Sequence, residues 1–68
     1  MKIFGERLKE LRLYKKMTQE KLGNLLGVSG NTIYAWETDK QEPSMITLLK
    51  LSEIFEVSLD YLFGKIDY

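Results

Sequence analysis

Two helix starts lie eleven residues apart in this chain, at Thr18 and Ser29, and that spacing limits the possible folds more than any other feature. Each residue places a hydroxyl just before an apolar-periodic run, where it can accept a hydrogen bond from a helix N–H that has no partner within the helix. Each also sits inside a hydrophobic staple: Met17 precedes Thr18 and pairs with Leu22, while Val28 precedes Ser29 and pairs with Ile33. The interval leaves room for about two turns of helix and a sharp connection. Gly27 fits that connection, because the residue after a last helical turn often takes positive φ, which glycine adopts at little steric cost. The reciprocal capping box is missing, since Lys21 stands where Glu or Gln would complete it, but Glu20 still favours the helix dipole.

Stepping the second of these helices at 3.6 residues per turn separates two faces. Ile33, Trp36 and Glu37 point one way and are expected to pack, whereas Gly30, Asn31, Tyr34 and Thr38 point another and are expected to stay free. The free face is small and polar, with one aromatic and no Lys or Arg. Exposed helices usually carry strong helix formers such as Glu and Lys there. A face of this kind can approach a structured surface closely and meet its hydrogen-bonding groups.

Sixty-eight residues make one domain near the lower limit for independent folding. The domain is read as residues 1–68, with a core over about 4–63 and a tail over 64–68. With no Cys and no His, disulfides, thiolate sites and the commonest transition-metal ligand are all absent, and neither a metal nor a cofactor is expected. Ser29 has no histidine base and the acidic residues form no ligand cluster, so an enzyme is not expected. The N-terminus lacks an apolar signal region and no run reaches the roughly 18 residues of a membrane span, which points to the cytoplasm.

Ten basic and ten acidic residues cancel, although a nucleic-acid-binding domain is usually basic. Their distribution is uneven. Residues 1–36 hold seven basic and three acidic side chains, a net +4, and residues 37–68 hold three and seven, a net −4. A chain polarised in this way can turn its positive end to phosphates, because the sequence-independent part of binding follows the phosphates neutralised rather than the net charge.

A pass along the whole chain predicts five helices. The first runs from about Phe4 to Lys15 with Phe4, Leu8 and Leu11 on its core side, and Lys15 and Lys16 suit its C-terminal dipole. The next two begin after Thr18 and Ser29. Pro43 blocks continuation through T-D-K-Q-E-P-S, and Ser44 caps a fourth helix from about Met45 to Phe55, with Leu48, Leu51 and Phe55 at helical spacing. Val57, Ser58 and Leu62 repeat the staple and start a fifth.

The motifs R-L-K-E-L-R (7–12), T-Q-E-K-L (18–22), L-L-G-V-S (25–29), T-I-Y-A-W-E (32–37), E-P-S (42–44), L-L-K-L-S (48–52) and V-S-L-D-Y-L (57–62) occur in this order. In their identity and spacing, the chain resembles the lambda-repressor-like, Cro/C1-type (XRE) helix-turn-helix family of phage and bacterial regulators. The resemblance implies an all-α, compact five-helix domain whose second and third helices form the helix-turn-helix. Gln19 matches a family residue at the start of helix 2 that contacts the DNA backbone and often base-facing groups. Ser29, Gly30, Asn31, Thr32 and Tyr34 match the part of the recognition helix that enters the major groove. Among these Asn31 is the expected base reader, since its amide can pair with adenine N6 and N7. Ala35 matches a specificity-determining position, where it offers apolar contact only, and Thr38 lies on the same free face. Lys40 matches a loop residue that touches the backbone. Arg12 and Glu37 match a structural ion pair linking helix 1 to the end of helix 3. The chain departs from the family pattern at Gly23, in place of a usual Ala and able to permit close packing against helix 3, and at Asp39, in place of a usual loop Gly. It also departs at Gly30 and Gln41, where many relatives carry longer polar or basic residues. Together these departures imply weaker intrinsic binding or dependence on dimerisation.

The implied function is sequence-specific binding of double-stranded DNA, as a small repressor-like transcriptional regulator. A palindromic operator and a homodimer are the expected partners, with Ile46, Tyr61, Ile66 and Tyr68 as the candidate dimer surface. No small-molecule effector site is evident. The alternative is a protein-interaction module, antitoxin-like or regulator-binding, that uses the acidic half of the chain.

Overall fold

Four of the five helices begin at the hydroxyl residues named above. The computed structural model, which describes residues 2–67, contains α1 (Lys2–Tyr14), α2 (Gln19–Leu26), α3 (Gly30–Glu37), α4 (Met45–Phe55) and α5 (Leu59–Leu62), and no strand among those residues. Thr18 accepts from the Lys21 N–H at 3.0 Å, Ser29 from Thr32 at 3.2 Å, Ser44 from Thr47 at 3.2 Å and Ser58 from Tyr61 at 3.0 Å. Each of these residues is extended at its own backbone, as an N-cap requires.

The helix ends also share one device. At α1 the Met17 N–H reaches back to the Arg12 carbonyl at 3.1 Å and Lys16 takes φ 57°. The Val57 N–H bonds to Ser52 behind Glu56 at φ 55°, the Lys40 N–H to Ala35 behind Asp39 at φ 61°, and the Lys65 N–H to Asp60 behind Gly64 at φ 80°. These are Schellman-type closures around a left-handed residue. At α2 the Gly27 and Val28 N–H groups both reach the Gly23 carbonyl, with Gly27 at φ 76°. Of the five left-handed positions among the described residues, sequence reading anticipates Gly27 and the Asp39 loop but not Gly64, which it assigns to a tail, nor Lys16 and Glu56, whose residue types do not favour the conformation.

In three connections the left-handed residue is followed by an apolar residue and then by the next cap: Lys16-Met17-Thr18, Gly27-Val28-Ser29 and Glu56-Val57-Ser58. The central Met17, Val28 and Val57 pack against the core and so serve the end of one helix and the start of the next. A left-handed non-glycine residue costs roughly 1–2 kcal/mol. Exposed Glu56→Gly is therefore expected to raise the unfolding free energy by about 0.5 kcal/mol, the remainder being offset by glycine's larger freedom in the unfolded chain. Urea unfolding of the variant checks this, and a loss of stability would refute it.

The core draws on every helix: Phe4 and Leu8 of α1, Leu22 of α2, Ile33 and Trp36 of α3, Leu48, Leu51 and Phe55 of α4, and Leu62 of α5 are all buried. Each such side chain contributes about 1.5–3 kcal/mol when removed from water. Leu11 is half-buried at the rim. Through these contacts α3 packs on both α1 and α2, and α5 closes against α1 and α4. Two glycines let backbones meet. A Cβ at Gly5 would lie 2.5 Å from the Glu37 carbonyl oxygen, and one at Gly23 would lie 2.5 Å from that of Val28. The close approach at Gly23 is thus to the turn that leads into α3 rather than to the body of α3.

The C-terminal residues do not trail away as a tail over the described range. Arg7 donates through Nη1 to the carbonyls of Tyr61 and Ile66, both at 2.5 Å, and through Nη2 to the Asp67 carboxylate at 3.0 Å. Its guanidinium also lies 4.2 Å from the Tyr61 ring centroid. A planar fork with several donors suits this combination of carbonyl capture and stacking. Nothing local in the sequence marks Arg7, since its partners lie 54–60 residues away.

Candidate nucleic-acid interface

The stapled starts of α2 and α3 set the two elements side by side, and the residues on their shared outer edge divide by what their side chains already hold. Ile33, Trp36 and Glu37 are buried, while Asn31, Tyr34 and Thr38 are exposed. Gly30 departs from the expected free face. It is half-buried, and a Cβ there would come within 3.3 Å of the Glu20 backbone nitrogen, because the first turn of α2 crosses over it. A helical wheel for α3 alone does not register that neighbour.

Several hydroxyls near the edge are engaged by their own helix. Ser29 Oγ caps α3 and also lies 3.1 Å from Thr32 Oγ1, so the two hydroxyls share one hydrogen bond. Thr38 Oγ1 donates to the Tyr34 carbonyl at 2.9 Å. These side chains shape the ends of α3 more than they offer donors outward. Ala35 is half-buried. The groups that project are the exposed amide of Asn31, the ring of Tyr34 and the ammonium of Lys40, whose Nζ stands 5.6 Å from the Tyr34 ring centroid. That separation is within cation–π range.

Behind the edge lies a buried polar network. Arg12 donates through Nε to Glu37 Oε2 at 2.6 Å and through Nη2 to Oε1 at 3.2 Å, a two-point contact between fork and carboxylate. Arg12 Nη1 also holds the Met17 carbonyl at 2.8 Å, and Gln19 Nε2 donates to Glu37 Oε1 at 3.1 Å. The end of α1, the connection to α2, the first residue of α2 and the last of α3 are thereby joined. Both charged residues are buried, and no buried side-chain N or O lacks a partner among the described residues. Gln19 itself is half-buried.

The four residues considered for a dimer surface are not equivalent. Ile46 is 68% exposed at the start of α4, beside the similarly exposed Met45 and Leu49. Tyr61 is half-buried beneath Arg7, and Ile66 is half-buried with its carbonyl held by the same side chain. Tyr68 lies outside the described residues. Among the described residues there is no pocket, no group of acidic side chains able to hold a metal, and no helix long and apolar enough to cross a membrane.

Comparison with known proteins places this arrangement. A helix-turn-helix family model matches residues 8–62. The HTH-type transcriptional regulator ImmR of Bacillus subtilis is 43% identical over 61 residues, which cover 90% of this chain and 48% of ImmR. Repressor protein C2 of Salmonella phage P22 is 40% identical over 60 residues, 88% of this chain and 28% of the repressor. The chain thus spans about half or less of the length of these relatives. Among solved structures, the P22 c2 repressor in complex with a synthetic operator superposes with a TM-score of 0.81 at 41% identity, covering 87% of this chain and 89% of that one. The restriction-modification controller protein C.AhdI of Aeromonas hydrophila gives 0.79 at 32% identity, covering 91% and 94%. With its matched motifs, five-helix order and buried Arg12–Glu37 link, the chain belongs to the Cro/C1-type (XRE) helix-turn-helix family.

Proposed function

We propose that this chain is a sequence-specific DNA-binding regulator, repressor-like and cytoplasmic, that places α3 in the major groove of an operator. The observation that carries the reading is the exposed edge of Asn31, Tyr34 and Lys40 on a scaffold that superposes on an operator-bound repressor. In this reading Asn31 meets a base, Tyr34 a thymine methyl or a phosphate, and Lys40 the backbone, with Gln19 at the first turn of α2 beside them. Ser29, Gly30, Thr32, Ala35 and Thr38 complete the edge, chiefly by shaping the helix that carries the readers. One recognition helix spans few base pairs, so two copies on a palindrome form the functional unit.

Selection from a random duplex library at low salt tests this proposal. The expected winner is palindromic, and Asn31→Ala is expected to lose roughly 1–3 kcal/mol of discrimination at one base pair of each half-site. Lys40→Ala should instead weaken all sites alike and reduce the salt slope by about one phosphate. A second reading, docking to another protein, draws on the exposed Met45, Ile46 and Leu49 of α4 and on the acidic second half of the chain. Binding that enriches no DNA sequence and barely responds to salt would favour it.

A further inference from the structure

Resting on the DNA-binding reading, we propose that Tyr34 is a positioning residue for Lys40: its ring holds the ammonium at the interface edge before DNA arrives, so that α3 and the loop after it engage the phosphate backbone as one unit. The backbone is already fixed at both residues. The Tyr34 carbonyl accepts from the Thr38 N–H at 3.0 Å and from Thr38 Oγ1 at 2.9 Å. Behind left-handed Asp39, the N–H groups of Lys40 and Gln41 both return to the Ala35 carbonyl, at 2.9 and 3.3 Å. The loop is thereby folded back on the last turn of α3, and Lys40 starts next to the turn that carries Tyr34. What is left to order is the flexible four-carbon stem of the lysine.

The ring supplies that order. The Lys40 ammonium stands over it, 5.6 Å from the centroid, and both residues are exposed. An aromatic face attracts a cation at that range. Immobilising a long side chain at an interface opposes binding, and a contact already made in the free protein removes part of that cost. The charge of Lys40 is therefore not its whole contribution, because the same ammonium on an unrestrained stem binds a phosphate less tightly. A cation over one face of the ring leaves the ring edge for the groove, so this role adds to whatever Tyr34 itself meets on DNA.

A double-mutant cycle on the duplex enriched by the library selection tests the coupling. Affinity is measured for wild type, Tyr34→Leu, Lys40→Ala and the double variant, where leucine keeps apolar bulk and helix propensity but removes the ring. Tyr34→Leu is expected to weaken binding about threefold more in the presence of Lys40 than in the Lys40→Ala background. Tyr34→Phe, which keeps the ring, should retain the full coupling. A merely structural loss would weaken both backgrounds alike. In the free protein, the side-chain protons of Lys40 should show an upfield ring-current shift by NMR in wild type and Tyr34→Phe that disappears in Tyr34→Leu. Equal losses in the two backgrounds, or no ring-current shift at Lys40, would overturn the proposal while leaving the DNA-binding reading standing. If wild type itself enriches no sequence, that reading falls and this proposal with it.

Discussion

Replacing Arg12 by alanine is expected to lower the unfolding free energy by about 3–5 kcal/mol, because it strands the buried Glu37 carboxylate and frees the Met17 carbonyl. For a 68-residue domain that is a large share of a total on the order of 5–15 kcal/mol. The physics is asymmetric. Two charges taken out of water together are costly to bury, but a single one left behind costs more. The double variant Arg12→Met with Glu37→Leu should consequently be more stable than Arg12→Ala alone, although its α3 would lose the contact that orders Gln19. Urea unfolding of both variants measures the difference. A change below about 1 kcal/mol in Arg12→Ala, the range of an exposed bridge, would mean the pair has no positioning role.

The second large effect is expected at Gly5, where alanine would ordinarily strengthen a helix by about 1 kcal/mol. In this fold Gly5→Ala should instead destabilise by about 2 kcal/mol, equivalent to a fall of roughly 8–16 °C in melting temperature. An added Cβ would meet the Glu37 carbonyl oxygen at 2.5 Å and that of Trp36 at 2.9 Å, both backbone atoms that cannot rotate away. Relief requires α1 to lift from the end of α3, which loosens Trp36 and the Arg12–Glu37 contact together. Gly27→Ala serves as the contrast, since nothing lies within 4 Å of its Cβ and only its φ of 76° is at issue. A melting temperature for Gly5→Ala equal to or above that of the parent would show that the two helices are not so closely engaged.

What could be read from the sequence follows the range of the interaction concerned. The caps at Thr18, Ser29, Ser44 and Ser58 were legible because donor and acceptor lie three residues apart. The buried stripes of α3 and α4 were legible because 3.6-residue spacing fixes which side chains face inward. Lys16 and Glu56 gave no warning of their left-handed backbones, since neither type favours them and surrounding packing decides. The half-burial of Gly30 depends on where α2 begins in space, and the clamp of Arg7 on residues 61–67 depends on the closure of the whole chain. At the candidate site, a family resemblance supplied Arg12 and Glu37 as a pair. That Gln19 also joins them could be seen only once side-chain atoms had positions.

The recurring triplet of left-handed residue, apolar residue and hydroxyl cap bears on how such a domain can change in length. Met17, Val28 and Val57 each serve two helices at once, so one inserted or deleted residue would rotate the following helix by about 100° and unseat its apolar face. The seven residues from Thr38 to Ser44 form the only connection among the described helices without that double duty, and of these Asp39, Lys40, Gln41 and Glu42 are exposed. Insertions and deletions are therefore expected to be tolerated best in the segment that follows α3. There, a change of length would alter what the loop presents outward while leaving the angle between α2 and α3 as it is.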